Sequence, residues 1–74
     1  MDSKHYKMYQ QIGLNILYFR KERGLTQLQL AELANYSRNH IQQIETAATV
    51  PSLDALLDIA AALGIEPERL FHKK

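Results

Sequence analysis

Apolar residues along the chain recur at spacings of three and four, and no stretch alternates apolar with polar as a half-buried strand would. Ile12, Ile16 and Phe19, with Tyr9 one turn earlier, mark one face of a first helix running from about His5 to Arg23. Gly24 then suits a left-handed helix end, since it has no Cβ to clash. Thr26 is the expected N-cap of a second helix, Gln27 to Ala34, with Leu30 and Ala34 facing inward and Ala31 small enough for a close crossing. Asn35 tolerates a left-handed turn. Ser37 caps a third helix to about Thr46, with Ile41 and Ile44 inward. Ser52 caps a fourth, Leu53 to Leu63, expected to present Leu53, Leu56, Leu57, Ala60 and Leu63 to the core before Gly64 ends it. Pro67 fits the first turn of a short fifth helix to about Phe71. The expected fold is therefore all-α, five helices around one core from residue 10 to residue 71.

The second and third helices form the informative unit, residues 26–46. Helix two is shorter than the roughly 12–15 residues at which isolated helices become marginal, so packing against Tyr36, Ile41 and Ile44 must hold it. Burying that side turns Arg38, Asn39, Gln42 and Gln43 outward, a face of fork-shaped donors and acceptors without a carboxylate. Asn and Gln bond bidentately to adenine and Arg to guanine in a major groove wide enough for one helix, at about 1–3 kcal/mol of discrimination per pair. A solvated helix face can have the same composition, so these residues alone leave both readings open.

Seventy-four residues make room for one domain, residues 1–74, and one this small buries only about 60% of its unfolded surface. There is no cysteine, so aliphatic packing or pairing with a second copy must supply the stability. With 46% apolar and 23% charged residues the chain is globular in balance. No apolar run reaches the roughly 18 residues of a membrane span, and Met1–His5 lack a signal-peptide layout, which makes a cytoplasmic location the expectation. His5, His40 and His72 have no spacing that gathers them on a metal, and no cofactor is expected. Without a phosphate-cradling glycine loop, a cysteine nucleophile or a convergent carboxylate pair, an enzyme is not expected either.

Net charge is only +1, and charge alone does not suggest nucleic acid. Its distribution is uneven. Arg20, Lys21, Arg23 and Arg38 lie among Glu22, Glu32 and Glu45, whereas the charges from Asp54 to Glu68 are all acidic.

The segment from Gly24-Leu-Thr-Gln through Asn35-Tyr-Ser-Arg-Asn-His-Ile-Gln-Gln-Ile-Glu45 resembles the helix-turn-helix of the Cro/CI-type (XRE) repressors. The likeness begins at Ile12-Gly13, Ile16 and Arg20 and continues through Pro51-Ser52-Leu53, Leu56–Gly64 and Leu70-Phe71. It implies a lambda-repressor-like DNA-binding domain that regulates transcription, most simply as a repressor bound as a homodimer to a palindromic operator in double-stranded DNA. By that resemblance Arg38, Asn39 and Gln43 meet base edges with Gln42 beside them. Gln27 meets a phosphate and steadies a side chain of helix three, Ser37 meets a phosphate, and Thr26 and His40 stand at the same border. Arg20 and Glu45 correspond to an ion pair between helix one and the end of helix three.

This sequence departs from the family pattern in four places. Thr46-Ala47-Ala48 stand where a basic residue, glycine and a further polar residue are usual. Without glycine a left-handed turn costs roughly 1–2 kcal/mol, so the loop is expected to take another path. Leu17, Tyr18 and Leu28 replace polar residues, residues 1–10 lengthen helix one, and no sensor or oligomerisation module is expected after the domain. Leu17 and Tyr18 are either peripheral core or a pairing surface; Ile65, Leu70 and Phe71 offer a second one, with core closure as the competing role. Two other functions fit the same fold: an antitoxin whose apolar surface, including Leu28, covers a toxin, and a restriction–modification control protein.

Overall fold

The computed structural model describes residues 4–73; residues 1–3, part of the N-terminal segment read above, and Lys74 lie outside them. Helix α1, Tyr6–Glu22, buries Ile12, Ile16 and Phe19, spaced by four and three. It closes through Gly24 at φ +67°, with the Leu25 N–H reaching back to the Arg20 carbonyl at 3.0 Å. That is the left-handed helix end for which glycine is the default. Helix α2, Gln27–Ala34, opens with a reciprocal cap: Thr26 Oγ1 accepts from the Gln29 N–H while the Gln29 side chain accepts from the Thr26 N–H. Asn35 takes the left-handed conformation, φ +66°, and turns the chain within three residues into α3, Arg38–Glu45, capped by Ser37. Helix α4, Leu53–Leu63, is capped by Ser52 and ends at Gly64.

The all-α class stands, and no strand occurs among the described residues. The fifth helix does not form as an α-helix. Pro67–Phe71 is a single 3-10 turn, opened by the Arg69 N–H bonding the Glu66 carbonyl at 3.0 Å and stopped by extended His72 before a further turn can form.

One core runs through all five elements. Ile12, Ile16 and Phe19 meet Leu30, Ala31 and Ala34 of α2, Ile41 and Ile44 of α3, and the inner face of α4. That inner face differs from the expected one. Leu53 and Leu57 are 67% and 44% exposed, and Ala55 and Ile59 are buried in their place beside Leu56, Ala60 and Leu63. The physical reason is register: with about 100° per residue, the buried five share one arc, centred away from Leu53. The two alanines let α4 approach its neighbours closely.

Leu70 is completely buried, so of its two candidate roles core closure is the one it performs, and its apolar surface is not offered to a partner. Ile65 is buried to 9% exposure, whereas Phe71 remains 41% and Tyr18 47% exposed, with Leu17 half-buried.

The loop after α3 also corrects an expectation. It keeps the left-handed turn without glycine: Ala47 sits at φ +60°, and the Ala48 N–H bonds the Gln43 carbonyl at 2.8 Å. Its strain of roughly 1–2 kcal/mol is offset by burial of its methyl group and by Thr46, whose hydroxyl donates to the Gln42 carbonyl.

Candidate nucleic-acid interface

Helix α3 is amphipathic about a sharp boundary. Ile41, Ile44 and Glu45 are buried, while Arg38 and Asn39 are exposed and Gln42 and Gln43 half-exposed. With about 100° per residue, those four side chains and Thr46 share one arc of the helix. Only eight residues long, α3 depends on its supports for a fixed orientation.

The first support is a close approach. A Cβ on Gly13 would lie 2.5 Å from the Glu45 carbonyl oxygen and 2.7 Å from that of Ile44, so only glycine lets α1 reach the end of α3. A second is the buried pair Arg20–Glu45. Arg20 Nε donates to Glu45 Oε2 at 2.7 Å and Nη2 to Oε1 at 3.1 Å, with side chains only 7% and 3% exposed. Arg20 Nη1 donates to the Leu25 carbonyl at 2.8 Å, and Gln27 Nε2 to Glu45 Oε1 at 3.0 Å. The carboxylate therefore ties α1, α2 and α3 together, with the hydrogen bonds that a buried ion pair needs.

At the other end of α3, the Tyr36 hydroxyl donates to Asp58 Oδ2 of α4 at 2.8 Å. The His40 ring stands edge-on to the Tyr36 ring, centroids 5.2 Å apart. Donating to the Asp58 carboxylate holds the Tyr36 phenol above the usual tyrosine pKa, and the negative charges of Asp58 and Asp54 act in the same direction. The turn that launches α3 is thus fastened to α4.

The remaining expected contacts stand around this face with their polar atoms partly engaged. Thr26 Oγ1 and Ser37 Oγ each accept a cap hydrogen bond, from Gln29 and His40 respectively. Arg20 is consumed by Glu45, and Arg23 by Glu22 and the Leu63 carbonyl. The resemblance gave Gln27 a contact on helix three without naming Glu45 as its partner, and Tyr36–Asp58 was not expected at all, since both depend on how separate elements meet. It also missed Asn15, whose amide donates to the Leu70 carbonyl at 2.8 Å and the His72 carbonyl at 2.7 Å, fastening the chain's end to α1. A signal was present there: Asn15 lies on the apolar stripe between Ile12 and Phe19 and is completely buried. No helix of the described residues is long and apolar enough to cross a membrane, and among those residues no three His, Asp or Glu side chains could share a metal ion.

A short helix clamped at both ends, with its polar face outward and a second capped helix beside it, is the arrangement of a helix-turn-helix. The family model with that description matches residues 16–70. The chain belongs to the helix-turn-helix family. Among its relatives, the immunity repressor protein of Bacillus phage phi105 is 51% identical over 55 residues, covering 74% of this chain and 38% of that protein. An HTH-type transcriptional regulator of Sinorhizobium fredii is 30% identical over 54 residues, 73% of this chain and 70% of that one. The chain thus spans little more than a third of the phage relative's length.

Solved structures agree with this placement. The restriction-modification controller protein C.AhdI from Aeromonas hydrophila superposes with a TM-score of 0.89 at 33% identity, over 93% of this chain and 100% of that one. The P22 c2 repressor, solved with a synthetic operator, superposes with a TM-score of 0.77 at 28% identity, over 85% of this chain and 96% of that one. These are Cro/CI-like regulators, and the helix-turn-helix of this chain is of their type.

Proposed function

We propose that this helix-turn-helix chain binds double-stranded DNA as a sequence-specific transcriptional regulator, acting as a repressor by occupying promoter DNA. The carrying observation is α3 itself: Arg38, Asn39, Gln42 and Gln43 project from a helix fixed at both ends, on a face with no carboxylate. In the major groove these side chains meet base edges, while Thr26, Gln27, Ser37 and His40 border the flanking backbone. The 51% identity to a phage immunity repressor favours repression over activation. Two copies on a palindrome would double the contacts of so small a reader, and of the candidate pairing residues Tyr18 and Phe71 are exposed and Leu17 half-buried, whereas Ile65 is buried.

The test begins by selecting bound sites from random DNA. Arg38→Ala and Gln43→Ala should then each lose about 1–3 kcal/mol for the selected site and keep most binding to unrelated DNA. Parent-like binding of the selected site by both variants would refute the assignment of α3.

A second reading, control of a restriction–modification system, is favoured by the end-to-end match to C.AhdI. Selected sites lying upstream of restriction or methyltransferase genes would support it. Co-purification of a small toxin with the chain would instead point to an antitoxin.

A further inference from the structure

Two of the places where this sequence leaves the family pattern meet in space. Thr46, where the resemblance puts a basic residue, and Leu17, where it puts a polar one, line one groove between α1 and the end of α3. The groove measures about 450 Å³, and Gln10, Leu14 and Glu45 complete its described lining, which holds no cation. The Glu45 charge is already matched by Arg20. The far end of the reading face is therefore apolar, and Thr46 is its exposed member beside the readers. At about 100° per residue, Thr46 falls between Gln42 and Gln43 in angle, one turn further along, in the middle of their arc. Resting on the DNA-binding reading above, we propose that Thr46 is a specificity-determining residue, whose methyl group packs on the C5-methyl of a thymine in the major groove.

Length and chemistry both favour that contact. Eight residues at about 1.5 Å each make α3 roughly 12 Å long, no longer than the major groove is wide. Its last turn thus stays in the groove that holds its first. The Thr46 hydroxyl is already committed: it donates to the Gln42 carbonyl at 2.9 Å, with the Gln43 carbonyl at 3.4 Å. That bond back to the preceding turn fixes the side-chain rotamer. A backbone phosphate only accepts hydrogen bonds, and the one proton Thr46 could give it is spent. What the residue keeps to offer is its methyl group, and a threonine methyl against a thymine methyl is one of the apolar contacts by which the major groove is read. Thr46 thus recognises a methyl group, where Arg38, Asn39 and Gln43 recognise hydrogen-bonding edges.

The measurement replaces each thymine of the selected site in turn with deoxyuridine, which pairs identically and lacks only the methyl group. Binding of the parent should weaken about fourfold at the position Thr46 meets, the worth of one buried methyl-sized group. Thr46→Ser, which keeps the hydroxyl and loses the methyl, should bind thymine and uracil there equally. Thr46→Val, which keeps a methyl and loses the hydroxyl, should still tell them apart. Each comparison sets two DNAs against one variant, so a change in that variant's stability cancels. A selected site without thymine, a parent indifferent to every replacement, a parent-like response in Thr46→Ser, or loss of the response in Thr46→Val would each overturn the assignment of Thr46. All four leave the reading by Arg38, Asn39 and Gln43 intact. Failure of the parent to prefer any DNA would sink both.

Discussion

The residue that most constrains this small protein is Glu45. Its carboxylate accepts from Arg20 and from Gln27, and its carbonyl oxygen occupies the space that a side chain at Gly13 would need. Arg20 and Glu45 are both removed from water, so deleting one leaves the other charged and unmatched. Arg20→Met should cost about 3–5 kcal/mol, whereas Arg20→Met with Glu45→Leu should recover most of that loss. Denaturant unfolding of the parent, the single variant and the double variant measures it; a double variant less stable than the single one contradicts this account. Such a loss is a large fraction of the roughly 5–15 kcal/mol that holds a typical domain. Arg20 and Glu45 were legible from the sequence as a pair through family resemblance. The Gln27 amide was assigned both to phosphate and to steadying a side chain of helix three; that this side chain is Glu45 emerges only once α2 and α3 are folded together.

At the scale of elements, sequence punctuation set the boundaries because each signal has a local cause. Thr26, Ser37 and Ser52 cap the helices that follow them, and Gly24, Asn35 and Gly64 adopt the left-handed conformation that ends the preceding ones. Helix faces were less legible. On α4 the choice between Leu53 with Leu57 and Ala55 with Ile59 depends on which side meets α2, and a leucine- and alanine-rich helix with only Asp54 and Asp58 to mark its polar side leaves that boundary open. Ala47 escaped for the opposite reason: its strain is local, and the packing that holds it there is not.

Tyr36 and Asp58 tie the turn before α3 to α4, and that tether has a pH dependence of definite sign. Because the folded phenol has a raised pKa, the tether contributes below the ordinary tyrosine range and is lost as pH rises through the folded value. Ultraviolet difference titration should therefore show a late-ionising phenol that is absent in Tyr36→Phe. Identical curves for parent and variant would mean that the bond to Asp58 is not made.

For the whole molecule, near-neutral net charge conceals a division of labour. The acidic residues Asp54, Asp58, Glu66 and Glu68 belong to α4 and the C-terminal turn, while the unpaired cations Lys21 and Arg38 flank the exposed face of α3. With a net charge of only +1 the molecule gains little from attraction to the DNA backbone, so pairing of two copies becomes the main route to affinity. Sedimentation at micromolar concentration should show dimers, at least with the selected DNA present; a monomer in both conditions would remove pairing from the account.

The central claim is that α3 reads base edges in the major groove. It is tested most directly by replacing purines of the selected site, one at a time, with deaza analogues that lack the N7 acceptor and leave the minor groove unchanged. The account predicts that the parent loses about 1–3 kcal/mol at the contacted purines, and that Gln43→Ala no longer responds at the position Gln43 reads. Indifference of the parent to every such replacement, with sensitivity to minor-groove changes instead, would contradict it.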